Sequence, residues 1–431
     1  MLETNTPRAL EEALRALESE FAALPEFQAP AAGGIAAVMA DVAARLGDNF
    51  PYFHPLYAGQ MLKPPHPVAR AAYALATWIN PNNHALDGGR ASSGMEREAV
   101  AAIAEMFGWR EHLGHLAGGG TMANLEALWV AGSLYPGKKI VASAQSHYTH
   151  ERISGVLQLP FAKVATDTRG RMDPAALESL LKAEDIGCVV ATLGTTATGS
   201  VDPLPDILAL RERYGFRLHI DAAYGGYFTL AGNLGPEARA AFDRIPDADS
   251  IVIDPHKHGL QPYGCGCVLF RDPAVGTLYK HDSPATYFSS RQQHLGEISI
   301  ECSRPGAAAV ALWATMRLLP LIRGGEFARG LEASRRAALA LHARLSADPR
   351  FSVPFEPQLD IVAWAPRNGS AQRIFDEAAK RNLHLALARL PGAFFASSEP
   401  EVLALRSVLM KPEHEQWIGC IWQILDEATN A

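Results

Sequence analysis

The sequence is short of cysteine, of positive charge and of long apolar runs. Its 431 residues include 5 cysteines: Cys188, Cys265, Cys267, Cys302 and Cys420. Their number is odd, their spacing is irregular and no C-x-x-C pair occurs. That argues against a disulfide framework or a structural zinc site, and Cys265-Gly-Cys267 reads as buried strand thiols. Lys and Arg total 39 against 46 Asp and Glu, a net charge of −7. Without a basic excess, phosphate neutralisation offers no route to nucleic acid. The longest apolar stretch, Ala307 to Ile322, is interrupted by Arg317 and Pro320 and is too short to span a bilayer. The stretch from Met1 to Phe27 is an acidic amphipathic helix pattern carried by Leu10, Leu14, Leu17, Phe21 and Leu24. It shows neither the basic start nor the apolar block of a signal peptide. The expectation is a cytoplasmic protein with no nucleic-acid partner and no membrane partner.

What is present is the balance of a globular enzyme, with 48% hydrophobic and 20% charged residues. Residues 1–60 read as a helical arm followed by an irregular stretch. Val68–Ile79 and Met95–Phe107 read as helices, the second with capping-box spacing at Ser93 and Glu96. From about residue 115 strands alternate with helices. Lys139–Ser143, Cys188–Leu193, Arg217–Asp221, Ser250–Asp254 and Gly266–Phe270 read as strands, several of them near-continuous apolar runs. Asp173-Pro174 and Asp202-Pro203 each read as an N-cap carboxylate before a first-turn proline. A helical region follows from Gly306 to Leu345. Strands near Asp360–Trp364 and Leu403–Met410 alternate with helices near Ala371–Lys380 and Glu413–Glu427. The pattern predicts an α/β fold with a mostly parallel central sheet flanked by helices, and a smaller α+β C-terminal domain. The expected division is 1–60 as arm, 61–325 as large domain and 326–431 as small domain.

Several motifs fail on inspection. The run from Gly132 to Lys139 nearly matches a nucleotide phosphate loop, but it lacks the final Ser/Thr and precedes a strand instead of following one. No G-x-G-x-x-G follows the first strand. A metal site needs three or more ligands converging on one point, and no HExxH-like pattern supports one in the pairs His112/His115 and His147/His150 or in the Asp254/His256/His258 alternation, so no metal is expected.

The informative segment is Asp254-Pro-His-Lys257-His-Gly. A lysine placed just after an apolar strand and wrapped in His, Gly and Pro suits a Schiff-base nucleophile, whose amine must be desolvated. Asp221 ends an earlier strand. Pyridoxal 5'-phosphate needs such a pair, a lysine for its aldehyde and a carboxylate facing its ring nitrogen. The turn Gly118-Gly119-Gly120-Thr121 leads into a helix, where backbone N–H groups and the helix dipole favour a phosphate.

Eight ordered motifs then carry a resemblance: HPLYAGQ (54–60), GGTMAN (119–124), SHYTHER (146–152), TLGTTATGSVDP (192–203), HIDAAYGG (219–226), DPHKHG (254–259), IECSRPG (300–306) and ALRSVLMKP (404–412). From about 50 to 425 the chain resembles the group II pyridoxal-phosphate-dependent amino-acid decarboxylases, which include glutamate, cysteine-sulfinate and aromatic members. The resemblance implies the fold type I, aspartate-aminotransferase-like architecture and a homodimer with active sites at the interface. It implies Lys257 as the cofactor lysine, Asp221 as the ring-nitrogen partner, Ala223 beneath the ring and His147 stacked on the other face. Gly120, Thr121 and His256 match phosphate contacts, Thr196 a hydroxyl near the cofactor, and Asp254 a polar residue beside the lysine loop. Met122 and His258 depart from the family pattern, which often has Glu and an aromatic residue there. The family's proton-donating tyrosine has no direct counterpart, which leaves Tyr287 and His294 as candidates. The Ser-, Gln- and Arg-rich loop from about 281 to 298 suits a lid.

The implied reaction is decarboxylation of an L-amino acid to an amine and carbon dioxide. Gln60 and Arg406 match residues that contact a substrate carboxylate, which leans the substrate towards glutamate, aspartate or cysteine sulfinate. Phe50, Phe53 and Tyr57 leave an aromatic substrate open, and the unplaced proton donor leaves a decarboxylating aldehyde synthase open. The competing class is a non-catalytic protein that binds the cofactor and turns nothing over.

Overall fold

The computed structural model describes residues 5–25, 33–280 and 294–431. Seven strands form the central sheet: β1 (Leu113–Ala117), β2 (Lys139–Ser143), β3 (Phe161–Val164), β4 (Ile186–Thr192), β5 (Arg217–Asp221), β6 (Ser250–Ile253) and β7 (Gly266–Phe270). Their order is β1-β7-β6-β5-β4-β2-β3. The run β6-β5-β4-β2-β3 is parallel, and β7 alone runs against both of its neighbours. Every residue of β4 to β7 is buried, because helices cover both faces. That burial is why these strands read as unbroken apolar runs.

A second, antiparallel sheet joins β8 (Phe351–Ser352), β9 (Ile361–Pro366), β10 (Ala386–Pro391) and β11 (Glu401–Val408) in the order β10-β11-β9-β8. Each sheet has its own main core, and Ile361 of β9 and Val408 of β11 also pack into the first. The helix Glu326–Ala347 serves both, through Phe327, Ala328 and Leu331 in the first and Ala338, Leu341 and Leu345 in the second. The stretch 54–60 packs on the second sheet: the Ala58 amide donates to the His384 carbonyl, and the Val408 amide donates to Ala58, both at 2.8 Å.

Several local expectations are corrected. The sheet begins earlier than the sequence suggests, because Leu113–Ala117 pairs with β7 across five residues. Its Gly and His obscure the strand pattern. The short strands β3, β8 and β10 also lack a distinctive pattern. The helix expected from Met95 starts at Leu86 and passes through a kink at Gly89. Ser93 therefore lies inside it, and Glu96 caps nothing. Glu96 instead accepts from Arg304 Nη1 at 2.7 Å, from the Leu116 amide at 3.0 Å and from Asn83 Nδ2 at 2.6 Å. Asp173 does cap its helix, accepting from Ala175 and Ala176. Asp202 does not; it is fully buried and accepts from the Met172 and Thr192 amides at 2.6 and 2.7 Å. Burial pushes its pKa up to about 7, against the two amide hydrogen bonds.

Glu96 and Arg304 form a buried pair, 2% and 4% exposed. Removing one partner strands the other charge in the core. Arg304→Met is expected to cost about 3–5 kcal/mol in chemical denaturation. Arg323→Met, which breaks an exposed pair with Asp243, should change stability by less than about 1 kcal/mol.

Candidate active site

The C-terminal ends of β4, β5 and β6 open onto one cavity of about 330 Å³. This edge is where open α/β sheets bind ligands, since the chain leaves each buried strand there. Thr192 ends β4, Asp221 ends β5 and Asp254 follows β6; all three line the cavity. β1 delivers the glycine turn to the same edge, and the helix Gly120–Leu134 starts from it.

Asp221 lies at the floor, 5% exposed. Its Oδ2 is 2.8 Å from His150 Nε2, and its Oδ1 accepts from the Ala223 amide at 3.0 Å. Burial alone would raise its pKa. The His150 hydrogen bond and charge, the Ala223 amide and Lys257 outweigh burial and hold the carboxyl below the ordinary carboxylate range. His147 lines the wall one helical turn from His150, with Nδ1 held at 2.8 Å by Thr149 Oγ1. Desolvation lowers its pKa, so its ring favours the neutral form.

Lys257 Nζ reaches Asp254 Oδ2 at 3.1 Å, and His256 Nε2 lies 3.5 Å from the same oxygen. The glycine turn is shaped by close approach. Gly119 has φ +148°, and a Cβ on Gly120 would lie 2.8 Å from Asp254 Oδ2. No side chain fits between the helix N-terminus and that carboxylate. The turn is clamped from behind: Glu301 accepts from the Gly118 amide at 3.0 Å, and Arg304 donates to the Leu116 carbonyl at 2.6 Å. Asn124 lines the cavity and is held by His219, whose other nitrogen bonds Ser250. Burial drives the His219 pKa down to about 3, so this link is neutral.

The structure brings Gly120, Thr121, His147, Thr196, Asp221, Ala223, Asp254, His256 and Lys257 around this single cavity. Pyridoxal phosphate fits the donor set. A helix N-terminus, Thr121 and His256 suited to a phosphate line the same cavity as the carboxylate of Asp221 and the amine of Lys257. Thr192 Oγ1, Asp254 Oδ1 and His256 Nδ1 are buried and meet no hydrogen-bond partner among the described residues. Such orphans ask for a polar guest.

Other candidates lie elsewhere. Gln60 is exposed and outside this lining. Arg406 is 6% exposed on β11, also outside it. Its charge acts on Tyr224, which does line the cavity, and its Nε and Nη2 meet no partner among the described residues. His294 is 1% exposed, accepts from the Leu86 amide at 3.0 Å and lines a different, smaller cavity with His112. Tyr287 lies outside the described residues. Sequence reasoning missed His150 and Tyr224. Both stood inside motifs already noted, and the i, i+3 spacing of His147 and His150 was their one local signal. Among the described residues no cluster of three or more His, Cys, Asp or Glu could hold a metal, and no helix is long and apolar enough to cross a membrane.

The pyridoxal-dependent decarboxylase conserved domain matches residues 128–366. A protein of Methanothrix thermoacetophila named "Probable L-tyrosine/L-aspartate decarboxylase" is 30% identical over 80% of this chain and 83% of its own length. One of the same name from Methanothermobacter thermautotrophicus is 29% identical over 71% of this chain and 82% of its own. The crystal structure of Oryza sativa TDC with PLP and tryptamine superposes with a TM-score of 0.80, covering 100% of this chain and 98% of that one at 18% identity. The fold is that of the type I pyridoxal-phosphate enzymes, as the motifs led us to expect.

The His150 contact yields a prediction. A carboxyl with a depressed pKa stays ionised below its ordinary value and titrates only as the pH falls through the lowered one. His150→Gln removes the main opposing influence, so Asp221 should titrate at higher pH. Cofactor affinity, read by absorbance titration, is expected to fall at least about tenfold more at pH 5 than at pH 8. An equal loss at both pH values would show that His150 does not set the Asp221 charge.

Proposed function

The chain belongs to the pyridoxal-dependent decarboxylase family, and on that premise we propose how its own residues divide the removal of an amino acid's α-carboxylate. Pyridoxal phosphate is its cofactor and supplies the electron sink for the pair left behind when carbon dioxide departs. Lys257 is assigned to the cofactor's aldehyde carbon. Asp221, kept ionised by His150, holds a proton on the ring nitrogen. Ala223 and His147 would flank the ring, and His147 would exclude water from the departing carboxylate. Gly120, Thr121 and His256 would hold the phosphate, with the Thr196 hydroxyl near the cofactor and Asp254 beside the lysine loop. Asp254 orients the Lys257 ammonium through their 3.1 Å contact.

Of the two proton donors we assign Tyr287, which delivers a proton to the substrate α-carbon. The reading is supported by His294, whose Nδ1 is already engaged by Leu86.

The substrate is assigned as an acidic amino acid, with a carboxylate held by Arg406. The carrying observation is the buried guanidinium with two nitrogens lacking partners among the described residues, close to the cavity-lining Tyr224. A buried unpaired charge of this kind is costly unless a carboxylate joins it. Relatives named for both tyrosine and aspartate are compatible with this lean.

We assign a homodimer. The helix Ile35–Leu46 buries no residue in the chain, and Ile35, Val38, Met39, Val42 and Leu46 form an exposed apolar stripe at helical spacing. In that assembly Gln60, exposed here, is assigned to the interface. The cytoplasm is the assigned compartment, supported by free exposed thiols at Cys302 and Cys420.

An amino-acid panel followed for both carbon dioxide and hydrogen peroxide tests the reading. Carbon dioxide from aspartate, glutamate or cysteine sulfinate is expected to exceed that from tyrosine or tryptophan. Arg406→Met should lower kcat/KM for the preferred substrate about 100-fold, the worth of about 2–3 kcal/mol of charge-assisted hydrogen bonding. Preference for aromatic substrates would sink the acidic assignment, and peroxide with an aldehyde product would replace simple decarboxylation. Tyr287→Phe should slow turnover at least about tenfold while cofactor binding is kept; full-rate turnover would move the proton donor elsewhere.

A further inference from the structure

A second cavity, of about 510 Å³, lies between the segment 63–67, the helix Glu326–Ala347 and the stretch 411–413. Its lining places Lys63, Lys411 and His258 together. Lys411 is 2% exposed and His258 1% exposed. Among the described residues neither lysine is within ion-pair distance of a carboxylate. Lys63 Nζ meets the Met410 carbonyl at 3.3 Å, and Lys411 Nζ meets the Tyr57 carbonyl at 2.7 Å. His258 Nδ1 meets no partner among the described residues, and its Nε2 lies 3.2 Å from Asp360 Oδ2. Glu326, Arg329 and Glu413 are exposed and give the lining both signs of charge.

Lys63 is half-buried and Lys411 fully so, with the Lys411 ammonium also 5.3 Å from the centre of the Tyr57 ring; holding two ammonium groups in one lining without a carboxylate partner is unfavourable. Desolvation holds Lys63 down at about 8 against the pull of Asp360 and Glu413. It holds Lys411 down at about 7, with repulsion from Lys63 adding to burial. A fold that carries this arrangement around open space is one that an anion would stabilise. The cavity also shares a wall with the cofactor site. Asp360 accepts from the Tyr224 hydroxyl at 2.7 Å, and Tyr224 lines the first cavity while His258 lines the second.

We propose that the second cavity is a binding site for a small oxyanion, a phosphate or a carboxylate, held by Lys63 and Lys411 and separate from the cofactor's own phosphate cradle. Each ammonium donates to the anion while keeping its carbonyl bond, since an ammonium has three donors. His258 supplies a further ring nitrogen to the same lining.

The test uses the holoenzyme, whose cofactor already fills the first cavity. Inorganic phosphate and succinate are titrated separately by calorimetry at pH 6.5, where both lysines carry charge. At least one is expected to bind saturably with one site per chain, and the stronger of the two distinguishes a phosphate source from a carboxylate source. Lys63→Met and Lys411→Met keep the apolar stem and remove the charge. Each should weaken binding at least about tenfold with the cofactor absorbance band intact. Should Lys411→Met fail to fold, because Lys411 also ties down Tyr57, Lys63→Met carries the test alone. The proposal is overturned if neither anion binds saturably up to about 10 mM, or if a folded Lys63→Met variant binds as tightly as the parent.

Discussion

Charge buried at the ends of buried strands is the constraint from which the site follows. β5 and β6 lie wholly inside the protein, yet the positions where they emerge carry Asp221 and Asp254. A carboxylate there cannot rely on water and must find partners. Asp221 takes His150 and a backbone amide; Asp254 takes Lys257 and lies near His256. Each partner in turn fixes a loop. His150 fixes the turn that presents His147, and Asp254 sets how closely the glycine turn can approach. Pairing of buried charge thus builds much of the cavity lining.

The same logic extends outward. Arg304 and Glu96 bury a second pair behind β1, and Glu301 holds the Gly118 amide. The IECSRPG motif therefore contributes no side chain to the cavity lining, and its work is to hold the glycine turn. Tyr224 and Asp360 carry a third link from the central sheet to the C-terminal sheet, where Arg406 lies on β11. The two sheets have distinct main cores, tied together by Ile361 and Val408, by a hydrogen-bonded wall at the site and by one long helix.

Legibility in the sequence followed chain proximity and burial. β2, β5 and β7 are visible to the residue, because apolar strands bounded by turns leave a local pattern. β1 was hidden by its Gly and His, although it leads into the glycine turn that lines the cavity. The nine cavity residues named from motifs do meet, since each motif joins a strand end or turn to the chemistry placed there. Glu96 and Asp202 mislead in the opposite way. Both have the local spacing of helix caps, and both are drawn into distant hydrogen bonds that outcompete the local role.

By itself the sequence determined the layer architecture, the position of a loop lysine and a strand-end acid that meet in one cavity, and the absence of any basic surplus for nucleic acid. These depend on residues adjacent in the chain and on hydrophobic period. Tertiary structure alone decided which partners the buried charges take. His150 meets Asp221 across 71 residues, Arg304 meets Glu96 across 208, and Lys411 meets Tyr57 across 354. Such contacts leave no spacing to read. They arise because strands and helices bury charge in one place, and buried charge accepts whatever partner the fold brings near.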